Sequence, residues 1–99
     1  MEVRLKIIKC NNIDEVRTQI DLIDNELVRL ISQRSVYVKQ AAKFKKDTES
    51  VKAPARIELV IEKVRNLSKD YDIDPDIIET IYRIMIGKFV DMEMKEFNK

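Results

Sequence analysis

The sequence contains no histidine, one cysteine (Cys10), one glycine and two prolines in 99 residues. Without histidine there is no imidazole to act as general base, nucleophile partner or metal ligand. A lone cysteine excludes an internal disulfide and any Cys–His metal cluster. The scarcity of glycine and proline leaves little turn chemistry, which argues against an all-β fold. Charge of one sign is missing too: 19 basic against 18 acidic residues give a net charge of +1. No global field therefore draws the chain onto nucleic acid or a membrane surface, and neither is an expected partner. No apolar run approaches the roughly 20 residues that a membrane span requires. The first ten residues alternate charged and aliphatic side chains and do not read as a signal peptide, so a reducing, cytoplasmic setting is expected.

What remains is a short chain with 37% charged and 44% hydrophobic residues, a mixture that suits amphipathic helices. Val3, Leu5 and Ile7 alternate with Glu2, Arg4 and Lys6, so residues 1–12 are read as an N-terminal arm or short strand. Asn12 then forms a helix cap with Glu15 three residues on, as in a capping box. Ile13, Val16, Ile20, Ile23, Leu27 and Leu30 step by three and four along one helical face. No glycine or proline interrupts residues 13–46, which predicts a first helix about 50 Å long. Residues 47–50 read as a loop. Pro54 opens a second helix carrying Ile57, Val60, Ile61, Val64 and Leu67, to about Lys69. Asp74-Pro75 caps a third, marked by Ile77, Ile78, Ile81, Ile84, Met85, Phe89 and Met92. The expected fold is all-α: three helices, the first too long for the others to cover, in a domain spanning residues 13–99. A second copy covers the excess apolar stripe most simply, giving an intertwined homodimeric helical bundle.

Past Leu30 the stripe meets Arg34, with Val38 and Lys45 on the same face if the helix continues. A cation in line with a core stripe wants an anion. Lys39, Lys43 and Lys46 read as solvated. Arg17 lies in another sector of the helix and can join Lys45 only across a dimer. Arg56 follows the loop at the start of the second helix. Four cations gathered between helices suit a small ligand with two carboxylates. Cys10 reads as structural or incidental, Tyr37 and Tyr82 as packing at helix interfaces, and Gly87 as allowing a close helix crossing.

The run from Val16 to Asp24, then Leu27, Ile31 and Arg34, then Ala42-Lys43-Phe44-Lys45 and Ala53-Pro54-Ala55-Arg56, resembles the all-helical (type II) chorismate mutases over about residues 13–95. The resemblance implies an intertwined dimer with two equivalent sites, converting chorismate to prephenate with no cofactor and no metal. It implies that Arg17 reaches the other subunit's site to pair with one substrate carboxylate, and that Arg34 holds the second. Lys45 then contacts the ether oxygen, and Arg56 is a further cation near the substrate; Val38 and Ile57, by their own apolar character, read as walls of a pocket. Glu93 falls where many relatives carry a glutamine that also addresses the ether oxygen. A glutamate does so only as a donor, in its protonated form.

The sequence departs from the bacterial mutase pattern at Ala53 and Ile57, where an acid is frequent on either side of the Arg56 position. Isochorismate pyruvate lyases, which share the scaffold, are apolar there, so isochorismate is an alternative substrate and an amino-chorismate another. An alternative of a different class is a non-catalytic helical dimerisation module. The pericyclic reaction suits a chain without histidine, because it needs no nucleophile, metal or proton shuttle. Binding must fold the enolpyruvyl arm over the ring and offset charge on the departing oxygen.

Overall fold

A computed structural model of the chain describes residues 6–99. The alternating N-terminal segment falls largely outside the described residues, and residues 6–10 belong to no helix or strand. Beyond them lie α1 (Ile13–Ala42), α2 (Thr48–Lys52), α3 (Pro54–Asp70) and α4 (Pro75–Phe97). The described residues are thus all-α, with three long helices and one of five residues. The chain divides into two units, Met1–Ser35 and Val36–Lys99.

In the first unit α1 begins as its capping sequence requires. The Asn12 side-chain oxygen accepts the Glu15 N–H at 2.9 Å, and the Glu15 carboxylate accepts the N–H of Asn11 at 2.8 Å. The return bond therefore reaches one residue further back than in a standard capping box. Along this unit Ile20, Ile23, Leu27 and Leu30 remain 46–51% exposed. Among its described residues none is buried.

The second unit holds the last two turns of α1 together with α2, α3 and α4. The first helix stops at Ala42 rather than running to Lys46. Its ending is tight: the N–H groups of Lys43, Phe44 and Lys45 each reach back only three residues, at 3.1, 3.0 and 3.4 Å. The cause is Asp47, whose carboxylate accepts both the N–H and the hydroxyl of Ser50 at 2.8 Å. Aspartate competes well for such local bonds, and here it starts a new helix. Residues 47–50, expected as a loop, are the cap and first turn of α2.

Helices α3 and α4 pack together, and α2 packs on α4. Ala42, Val51, Ile61, Val64 and Ile86 form the core. Asp74 caps α4 by accepting the Asp76 N–H at 2.9 Å, with Pro75 in the first turn as the sequence predicts. At the end of α3, Ile73 donates to the Ser68 carbonyl at 2.9 Å and Asp72 to that of Lys69 at 3.3 Å. This is a Schellman ending in which Asp72, at φ 57°, occupies the left-handed position that usually holds glycine.

An ionic ladder ties α3 to α4. Arg83 grips Glu58 with two bonds of 2.9 and 3.0 Å and Glu79 with one of 2.7 Å. Arg65 joins Glu79 at 2.7 Å and Asp76 at 3.0 Å. Hydrogen bonds from Arg83 lower the pKa of Glu58, and those from Arg83 and Arg65 lower that of Glu79. Of the two tyrosines read as packing at helix interfaces, Tyr82 is half-buried on α4 and Tyr37 is 70% exposed. A Cβ added at Gly87 would meet nothing within 4 Å among the described residues of its unit, so the close helix crossing expected there is not seen within that unit. Ile77, Ile81 and Ile84 form an exposed apolar line on α4, opposite its buried side at Ile86 and Glu93.

Candidate active site

Lys45 follows the end of α1 and lies on the connection to α2. The helical spacing that grouped it with Arg34 and Val38 therefore does not apply, because helical backbone ends at Ala42. The connection and its cap place the Lys45 side chain instead. Its ammonium donates to the Ser50 carbonyl at 2.8 Å and stands 3.6 Å from the Glu93 carboxylate. Glu93 projects from α4 into the interior of the second unit and is only 6% exposed. Among the described residues its Oε2, the oxygen facing Lys45, has no hydrogen-bond donor.

A buried carboxylate is costly unless a charge or a donor attends it. Here one ammonium supplies the charge at a separation longer than a good N–H···O bond. Lys45 is itself partly buried, so the pair sits where solvent screens it weakly. A guest presenting an oxygen between these groups would meet a fixed cation and a carboxyl group that is a donor when protonated.

The other predicted residues are placed as follows. Val38 and Ile57 are half-buried in the second unit, and Arg56 is exposed in the first turn of α3. In the first unit Arg17 is exposed and Arg34 half-buried. The second unit thus brings Lys45 and Glu93 together. The Ser50 carbonyl escaped sequence reasoning because a backbone acceptor has no residue-type signal. Asp47 with Ser50 three residues later was a readable cap.

Comparison with known proteins settles the ancestry of this arrangement. The sequence profile described as chorismate mutase type II matches residues 16–94, a span that includes both Lys45 and Glu93. This chain belongs to the type II chorismate mutase family. It is 32% identical over 73 residues to a chorismate mutase of Methanocaldococcus jannaschii, covering 73% of this chain and 74% of that one. It is 24% identical over 86 residues to an isochorismate pyruvate lyase of Pseudomonas aeruginosa, covering 87% and 85% of the two chains. A bifunctional chorismate mutase/prephenate dehydratase of Buchnera aphidicola is 27% identical over 90 residues, and only 23% of its length is matched. The proteins this chain is similar to thus carry the names of two different reactions.

Proposed function

We propose that this chain rearranges chorismate to prephenate, working as a cytoplasmic homodimer. The carrying observation is the Lys45–Glu93 pair: an ammonium 3.6 Å from a buried carboxylate oxygen that has no hydrogen-bond donor among the described residues. A dimerisation module has no use for such a pair, whose burial weakens a small helical unit. A reaction that lengthens a C–O bond does have a use for it.

In the rearrangement the ether C–O bond breaks as a C–C bond forms, and no atom leaves the molecule. The ether oxygen gains negative character on the way. The Lys45 ammonium strengthens its contact with that oxygen in the transition state more than in the ground state, which lowers the barrier. Arg17 and Arg34 take the two carboxylates, since a guanidinium matches a carboxylate with two parallel bonds. Arg56 adds a further cation, and Val38 and Ile57 supply apolar wall. Glu93 stands beside the same oxygen, which a side-chain amide would address as a permanent donor. Glu93→Gln is therefore expected to keep or raise the rate, and a loss as large as that of Lys45→Ala contradicts the role.

The homodimer is supported by the uncovered apolar surface. The α1 stripe in the first unit is half exposed, and Ile77, Ile81 and Ile84 add a second line on α4. Helices do not hold such faces in water without a cover.

A second reading, isochorismate pyruvate lyase, is favoured by Ala53 and Ile57, which are apolar three residues before and one after Arg56. Separate incubations with chorismate and isochorismate distinguish the two. Prephenate from chorismate supports the mutase, salicylate with pyruvate from isochorismate supports the lyase, and no product from either rejects both.

A further inference from the structure

The Lys45 ammonium is held by a backbone carbonyl, and the local sequence explains why that carbonyl is available. Helix α2 ends on Ala53, which is left-handed at φ 41°, ψ 58°. A helix ending on a left-handed residue closes in one of two ways. In the first, the N–H of that residue reaches four residues back. In the second, it reaches three back, and the N–H of the following residue reaches five back. Here three back is Ser50, while Glu49 is both four back from Ala53 and five back from Pro54. The second closure needs an N–H on residue 54, and proline has none. The observed bond is accordingly Ala53 N–H to the Glu49 carbonyl at 2.9 Å. Proline also lacks the donor that a continuing helix would offer to Ser50 from four residues on.

The one closure open to the backbone leaves the Ser50 carbonyl unclaimed. Lys45 donates to it at 2.8 Å, and the same ammonium faces Glu93 at 3.6 Å. We propose that Pro54 is a positioning residue: by withholding an N–H it reserves the Ser50 carbonyl for Lys45 and so fixes the ammonium beside Glu93. The inference rests on the role given to Lys45 above and adds what holds that group in place. Pro54 itself touches no reacting atom in this scheme. A fixed ammonium needs no reorganisation at the transition state, so loosening it lowers kcat more than it alters substrate binding.

The test uses the full chain, assembled by peptide ligation, with residue 54 as proline, alanine or N-methylalanine. Pro54→Ala restores the N–H and opens the second closure. N-methylalanine, like proline, has no N–H but lacks the ring. Two quantities are read: chorismate turnover, and the nitrogen–proton NMR correlation of the Lys45 ammonium in the unliganded protein. The expected result is a slowly exchanging ammonium signal in the unaltered chain. Pro54→Ala loses that signal, and its kcat falls about tenfold with KM held within about twofold. N-methylalanine retains both the signal and the rate. Three results overturn the inference: Pro54→Ala keeping both properties, the two variants losing them alike, or a freely exchanging Lys45 ammonium in the unaltered chain. Should the unaltered chain turn over no chorismate, the reading of the reaction fails while the ammonium signal still decides the role of Pro54.

Discussion

Glu93 is the residue where cost and use meet most plainly. It is buried on α4, its Oε2 has no hydrogen-bond donor among the described residues, and the Lys45 ammonium stands 3.6 Å from that oxygen. Removing Lys45 leaves the carboxylate buried without a counter-charge, which costs several kcal/mol unless it takes up a proton. Lys45→Ala is therefore expected to destabilise the second unit at neutral pH, and Glu93→Gln introduced beside it to recover much of that loss. Thermal unfolding of the two single variants and the double variant measures this coupling. Equal destabilisation by Lys45→Ala whether residue 93 is glutamate or glutamine would show that the two groups do not interact. Arg56 lies at the other extreme, exposed in the first turn of α3, and Arg56→Ala is expected to leave stability nearly unchanged. Its effect belongs to substrate affinity, as a rise in KM.

At the scale of elements, two left-handed positions and one ionic ladder govern how the helices of the second unit meet. Asp72 sits at φ 57° in the ending of α3, where an L side chain is strained and glycine is not. Asp72→Gly is expected to raise stability by about 0.5–1 kcal/mol, and Asp72→Val to lower it, both read from denaturant midpoints. The ladder from Glu58 through Arg83, Glu79 and Arg65 to Asp76 carries a pH signature. Glu58 and Glu79 have folded pKa values below the ordinary range, chiefly through hydrogen bonds from Arg83. A lowered acid pKa contributes stability that is present above the unfolded value and is lost as pH falls through the folded one. The unfolding midpoint is thus expected to stay level at neutral pH and to drop in acid. Arg83→Gln should make that drop shallower, and an unchanged acid slope would mean that the ladder contributes nothing.

These elements also show how far the sequence could be read. Periodicity placed all three long helices, because a stripe repeating every three to four residues can be buried in few other ways. Asn12 and Asp74-Pro75 marked their starts through local chemistry alone. The end of the first helix was not legible by the same rule. Lys43 to Lys46 are good helix formers with no breaker among them, and the helix stops because Asp47 captures the Ser50 N–H. That is a competition between two local structures, which propensity alone does not decide. The helical spacing that groups Lys45 with Arg34 and Val38 does not exist, because α1 ends at Ala42. The resemblance that named Lys45 drew on the ordered set of residues, which does not depend on where the helix ends. The ladder was half legible: Glu79 and Arg83 are one turn apart, whereas Glu58 and Arg65 meet α4 only through tertiary packing.

For the whole molecule the open quantity is the apolar surface. Ile20, Ile23, Leu27 and Leu30 lie half exposed in the first unit, and Ile77, Ile81 and Ile84 are more exposed in the second. If a second copy covers them, folding and association are one process, and the unfolding temperature rises with protein concentration. Sedimentation should give a dimer, and Leu27→Asp should reduce both dimer and helix content. A stable, helical monomer with a concentration-independent midpoint would contradict this part of the account. The central claim concerns the cation beside Glu93, and its most direct test is prephenate formation from chorismate at neutral pH by the unaltered chain and by Lys45→Arg and Lys45→Ala. Steady turnover by the unaltered chain is expected, with a loss of about a hundredfold or more in Lys45→Ala and partial activity in Lys45→Arg, the circular dichroism of all three remaining helical. Full activity in a folded Lys45→Ala protein would contradict the account.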